Sequence, residues 1–214
     1  MKKILALILA AIMLVSVVAC TKNNEEETKD NGTEAPTEAP TEEATEEATE
    51  DVAIPEVSVT PLDALMTMWN AIPEDNRFFA IGGSPMAPVD GMPGEFDLAG
   101  EDAEANLEFM THYPADQFSK LTGAATIMHG MNANTFSAGA FSFADAETTT
   151  AMVDIIKEAI SGTHWMCGFP EKLVIVKVSD NCLVAMFGVG EIVDTFANNA
   201  VELLSGTVVV DQGL

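Results

Sequence analysis

Chemistry in this 214-residue chain would have to come from a small set of side chains: three cysteines, three histidines and a large excess of carboxylates. The densest stretch is Ser161-Gly162-Thr163-His164-Trp165-Met166-Cys167-Gly168-Phe169-Pro170. His164 and Cys167 stand three apart between glycines, so both could face one spot, and a nucleophilic Cys needs such a nearby base to become thiolate. The same residues also suit a structural loop with Trp165 and Phe169 packed into the core. A second polar stretch, His129-Gly130-Met131-Asn132-Ala133-Asn134-Thr135, reads as a turn entering a strand, because Asn ties turns to the backbone. The sharper expectation joins the two stretches into one pocket of His129, Asn132, Asn134, His164, Trp165 and Cys167.

Other chemistry finds little footing. Zinc needs four ligands, and no spacing among His112, His129, His164, Cys167 and Cys182 matches a zinc signature. Met128 and Met131 beside His129 could ligate copper, but Met is more often core filler. Glu95, Asp97, Glu101, Asp102 and Glu104 lack the alternating spacing and Gly of a calcium loop. Gly82-Gly83 follows no strand-to-helix phosphate pattern, and no Ser-His-Asp, Walker or HExxH arrangement occurs. No metal, cofactor or catalytic residue is therefore expected.

The remaining cysteine, Cys20, belongs to a different system. Lys2 and Lys3 precede an apolar run from Ile4 to Ala19 broken only by Ser16. Its sixteen residues fall short of the roughly 20 that span a hydrocarbon core, and a charged start with a short apolar run describes a secretory signal peptide. Val17-Val18-Ala19-Cys20 resembles the lipobox of bacterial lipoproteins, where the Cys takes a diacylglycerol thioether and becomes the mature N-terminus. That family usually has Leu at the position of Val17. The resemblance implies cleavage of residues 1–19, acylation of Cys20 and anchorage in the bilayer at the outer face of the cytoplasmic membrane. Two or three acyl chains, each adding about 0.8 kcal/mol per buried CH2, anchor stably.

From Thr21 to Asp51 there are 12 acidic and 2 basic residues, a net charge of −10, with repeats such as Thr33-Glu34-Ala35-Pro36 and Thr37-Glu38-Ala39-Pro40. Low hydrophobicity with high charge cannot offset the entropy of ordering, so residues 20–56 are expected to form a disordered acidic tether. At about 3.3 Å per residue it could reach on the order of 100 Å. Such linkers resemble those of Gram-positive surface lipoproteins.

Residues 57–214 are long enough for a single domain with a real core. From residue 52 onward there are 22 acidic against 5 basic residues, a net of −17. A field of that sign repels phosphate backbones, which excludes nucleic acid as a partner.

The elements that must position the candidate residues are readable in outline. Thr60, Pro61 and Asp63 open a helix whose Leu62, Leu65, Met66, Trp69 and Ile72 form one stripe. Residues 78–100, rich in Gly and Pro, read as a loop. A weaker helix is expected over 101–110, and a short one from Pro114 to near Gly123. Thr135–Phe143 reads as a strand, and Asp145 caps a helix ending at Gly162. Leu173–Val178 and Cys182–Val189 form a hairpin about Asp180-Asn181. A helix carrying Val193, Phe196, Ala200 and Leu203 then leads to a last strand over 207–210.

That order, β-α-β-β-α-β, predicts an α+β fold with a ferredoxin-like C-terminal half, both helices on one face and the N-terminal helices and Gly/Pro-rich loop packed on the sheet. The hairpin is apolar on both faces, so its second face needs a cover, expected from the 57–130 region. Cys167 and Cys182 would lie roughly 30 Å apart at opposite ends of the hairpin, too far for a disulfide, so both are expected as free thiols.

From Leu62 onward the chain resembles a family of lipoproteins from Clostridia-type gut bacteria whose shared domain has no assigned function. The resemblance rests on Phe79-Ala80-Ile81-Gly82-Gly83, on Met128-His129-Gly130-Met131-Asn132-Ala133-Asn134-Thr135-Phe136 and on Trp165-Met166-Cys167-Gly168-Phe169-Pro170. It implies an exported location and the domain's extent, and it transfers no functional residue. The sequence thus points to a lipid-anchored binding or interaction module for a protein or small molecule. The alternatives are an envelope enzyme using the His129, His164 and Cys167 region, or a purely structural envelope protein.

Overall fold

The computed structural model describes residues 59–166 and 168–214. The stretches expected as signal peptide and acidic tether, with Cys20, and Cys167 lie outside the described residues. Helix α1 (Pro61–Asn70) begins as its sequence dictates: the Thr60 hydroxyl accepts from the Asp63 amide at 3.1 Å, and Pro61 occupies the first turn. It buries Ala64, Leu65, Met68 and Trp69. The chain then forms strands β1 (Ala80–Ser84), β2 (Ala87–Asp90) and β3 (Gly94–Glu95), helix α2 (Ala103–Thr111), a 3-10 turn over Ala115–Lys120, and β4 (Leu121–His129). After another 3-10 turn come β5 (Phe136–Phe143), α3 (Ala146–Ser161), β6 (Lys172–Ser179), β7 (Cys182–Gly188), α4 (Gly190–Leu204) and β8 (Thr207–Gly213).

The fold is α+β around one eight-stranded antiparallel sheet in the order β2-β1-β4-β5-β7-β6-β8, with β3 also paired to β4. Residues 78–100 are thus not the expected loop. They supply β1, β2 and β3, and their glycines let backbones approach: a Cβ on Gly94 would stand 2.8 Å from the Gly83 Cα.

The ferredoxin-like arrangement is corrected in one respect. The order β5-α3-β6-β7-α4-β8 is present, but β8 pairs with β6 rather than with β5. Strand β4, which has no clear alternation in the sequence, fills the place beside β5. Both crossovers therefore step the same way across the sheet from strands that run in opposite directions, and right-handed connections then put their helices on opposite faces. Helix α3 packs Met152, Ile156 and Ile160 against Leu173, Ile175, Leu183 and Ala185. Helix α4 packs Val193, Phe196 and Ala200 against Val174, Val176, Val184 and Met186 on the other side. Helix α1 joins α4, and α2 joins α3 through Leu107 and Met110, so both faces are covered.

The faces of the β6–β7 hairpin are also one residue out from a regular two-residue turn about Asp180-Asn181. Ser179 does pair with Cys182, but Lys177 pairs with Leu183, leaving Val178 as the extra residue of a bulge. That slip sends Val184 and Met186, rather than Leu183 and Phe187, to the face of Val174 and Val176.

Candidate functional site

The end of the sheet where β4 finishes and β5 starts collects most of the candidate residues, and it does so on two separate faces. Alternation along β4 puts Ile127 and His129 on the α1/α4 side and Met128 on the α2/α3 side. His129 stacks on Phe78, with ring centroids 5.3 Å apart, and its Nδ1 accepts the Met131 and Asn132 amides at 3.2 and 3.4 Å. Trp165 lies on the opposite face, against Phe187 at 5.3 Å. The expected single pocket uniting His129 with His164 and Trp165 is therefore not what the geometry provides. The two-residue period of a strand separates His129 from the rest.

What the structure brings together is a cleft of about 550 Å³ lined by Glu108, Phe109, His112, Asn134, Thr163, His164, Trp165 and Met166, with Ala105 and Ala133. Its walls follow from two helix ends. Helix α2 stops at His112, whose φ of 55° ends the helix in the left-handed region with its amide still bonded to the Glu108 carbonyl. Helix α3 stops at Gly162, whose amide donates to the Glu158 and Ile160 carbonyls. The chain leaving α3 lays Trp165 over Phe187, and His112 meets Trp165 edge-on at 4.8 Å. The third wall is the turn before β5. There the Asn132 side chain accepts from the Asn134 amide at 3.0 Å, and Asn134 Nδ2 donates to the Gly168 carbonyl at 3.2 Å.

Thr163 Oγ1 donates to the Ala159 carbonyl at 3.0 Å and stands 3.4 Å from His112 Nδ1. With its one proton committed to the carbonyl, the hydroxyl can accept from Nδ1–H, which leaves Nε2 of a neutral imidazole as an acceptor. Burial lowers the His112 pKa from its ordinary value and so favours that neutral ring.

The reading of residues 161–170 as a loop packed by Trp165 and Phe169 holds for one ring only. Trp165 is half-buried, whereas Phe169 is 78% exposed. Phe109, Met166 and Met131, at 79%, 84% and 80%, are exposed as well. His164 is exposed on the cleft wall. Phe109 had a signal in the sequence: Leu107 and Met110 mark the inward stripe of α2, and a Phe between them must point outward. His112 and Thr163 had none, because 51 residues separate them in the chain.

Cys182 is free and buried at the other end of β7, beside the hairpin turn. Desolvation pushes its thiol pKa up to about 12, against a smaller lowering from the backbone at Phe141. Among the described residues, no group of three or more His, Cys, Asp or Glu side chains is placed to hold a metal ion. None of the described helices is long and apolar enough to cross a membrane.

The described chain enters far from the cleft. Pro61 lies against Gly123, near the start of β4, while the cleft sits beyond the end of that strand. Nine residues at about 3.3 Å each separate the two ends by roughly 30 Å. No protein-family model, curated protein or solved structure matches the chain.

Proposed function

We propose that this chain is an exported lipoprotein, acylated on Cys20 and held at the outer face of the membrane, whose domain is a binding module. Its ligand sits in the cleft between the end of α2 and residues 163–166. The observation that carries this reading is the cleft itself. Exposed Phe109 and Met166 stand on its wall around half-buried Trp165 and His112. Large exposed apolar side chains gathered at a concave site mark interaction surfaces rather than ordinary solvent faces.

The test places a photo-crosslinking amino acid at position 109, at 166 and at the exposed Thr122 beside the chain entry, in the full-length acylated protein in its own cells. A defined adduct from 109 and 166, absent from 122, is the expected result. Adducts that are the same at all three positions, or none at 109 and 166, would end the reading. Mass spectrometry of the same material checks Cys20. A peptide still joined to residues 1–19, or a bare thiol at its N-terminus, would remove the anchor.

A further inference from the structure

We infer that the occupant of the cleft is a cationic amphipathic peptide segment, apolar on one side and bearing Lys or Arg on the other. The inference rests on the cleft being the binding site. Three observations carry it, and they concern shape, chemistry and charge.

The apolar surface is wider than the cleft. Phe109 and Met166 stand on its wall, and exposed Phe169 follows Gly168, whose carbonyl accepts from Asn134 of the cleft lining at 3.2 Å. A small molecule filling the cleft would leave Phe169 in water, whereas an extended or helical segment could cover both. Long flexible Met side chains around rigid rings are suited to a peptide's apolar face, because they repack around different side chains.

The charge around this surface has one sign. Among the described residues no Lys or Arg lines the cleft, while Glu108 does. Glu104 stands one turn before Glu108 on the exposed side of α2, and neither carboxylate takes part in an ion pair among the described residues. Four of the five cations of residues 52–214 are engaged elsewhere, Lys172 with Asp194 and Asp211, Lys177 with Asp180 and Lys157 with Asp154 among them, and the fifth, Lys120, is not in the cleft lining. Arg77 donates to the Ile72 carbonyl and lies over Trp69. An anionic partner would thus meet unrelieved repulsion here. A cationic one would relieve that between Glu104 and Glu108 and be steered in by a net charge of −17 over residues 52–214.

The experiment uses the full-length acylated protein held in phosphatidylcholine nanodiscs, with signal from empty nanodiscs subtracted. The probe is a fluorescent amphipathic helix of about 18 residues with Lys on one face and Leu on the other. Three companions replace the Lys face by Glu, the Lys face by Gln, or the Leu face by Gln. The Lys/Gln companion reports the pull of the acidic tether and the general field alone.

The Lys/Leu helix is expected to bind about tenfold or more tightly than each companion. Phe109→Ser with Met166→Ser should remove that advantage, and Glu108→Lys should invert the order of the Lys/Leu and Glu/Leu helices. Both variants alter exposed side chains, and circular dichroism checks that the fold survives.

Equal binding of the Gln/Leu helix, lost in the Phe109/Met166 variant, would overturn the cationic requirement and leave the cleft as the site. Lys/Leu binding that the Phe109/Met166 and Glu108 variants leave unchanged would remove the cleft from the account altogether.

Discussion

The two faces of the sheet end differently at the same edge, although both are built from aromatic rings. On the α1/α4 face Phe136 packs on Phe196 at 4.4 Å, Phe78 on Phe136 at 5.5 Å and Trp69 on Phe78 at 5.2 Å. His129 closes the set, stacked on Phe78 with its Nδ1 taken up by two amides. Helices α1 and α4 also touch each other, Asn199 Nδ2 donating to the Met68 carbonyl at 2.9 Å. On the α2/α3 face the rings are His112, Trp165 and Phe187, at 4.8 to 5.3 Å. There α2 and α3 both stop short, and Phe187 is met by His112 at the end of α2 and by Trp165 of the loop after α3. A completed helical layer turns aromatic residues into core. An interrupted one leaves the same chemistry as a cleft with Phe109 and Met166 outside it.

The comparison can be broken most severely on the sealed face. Phe196 is fully buried among Phe136, Trp69 and Phe78, so Phe196→Ala loses both its transfer energy and its packing. A loss of about 3–5 kcal/mol in urea unfolding is expected. A loss under 1 kcal/mol would mean that this layer is not closed. Gly188, at the end of the central strand β7, joins the two faces. It has φ +147°, and a Cβ there would meet the Thr135 carbonyl and stand 2.7 Å from the Phe136 Cα. Gly188→Ala should cost about 1–3 kcal/mol through backbone strain. It should also disturb the cleft, since the Val189 amide holds the Thr135 carbonyl at 2.9 Å beside Asn134.

On the open face the same residue type behaves in the opposite way. Phe109→Ser removes a ring that packs little, so the unfolding free energy should move by no more than about 0.5 kcal/mol. Photo-crosslinking from position 166 should nonetheless fall sharply. A stability loss near that of Phe196→Ala would show Phe109 to be core, and the distinction between the two faces would go with it.

Part of this was legible in the chain and part was not, and the division follows the range of the interactions. Helix starts were local: Thr60 and Asp145 each accept an amide three residues on. Strands β1, β3 and β4 were obscured because Gly82, Gly83, Gly94, Gly123, Ala124 and Ala125 give almost no alternation of large and small. Without β4 the ferredoxin-like pattern places β8 beside β5, where β4 in fact pairs. The bulge at Val178 reversed the faces of β7, which no pattern in β7 itself could reveal. Within the site, Asn134, His164 and Trp165 line one cleft. Asn132 instead braces the wall through Asn134, and His129 belongs to the other layer. The partners that complete the cleft, Phe109 and His112, come from α2, about 50 residues earlier in the chain than the loop they face.

The smallest expected effect concerns half-buried His112, on the open face. Burial holds the His112 pKa below its ordinary value of 6.5. The unfolded chain therefore binds a proton at this position before the folded one does. Whatever the protein gains from a neutral His112 is fully present above about pH 6.5 and is lost as pH falls through the folded value. The Tm of the wild type should thus decline between pH 7.5 and 5.5, above the range in which ordinary carboxylates titrate. His112→Asn keeps a polar group near Thr163 but cannot titrate, so its Tm should fall less over the same window. An identical decline in the two proteins would mean that His112 is already wet enough to protonate freely. The cleft would then be a solvated notch rather than a place where a partner finds partly desolvated rings waiting.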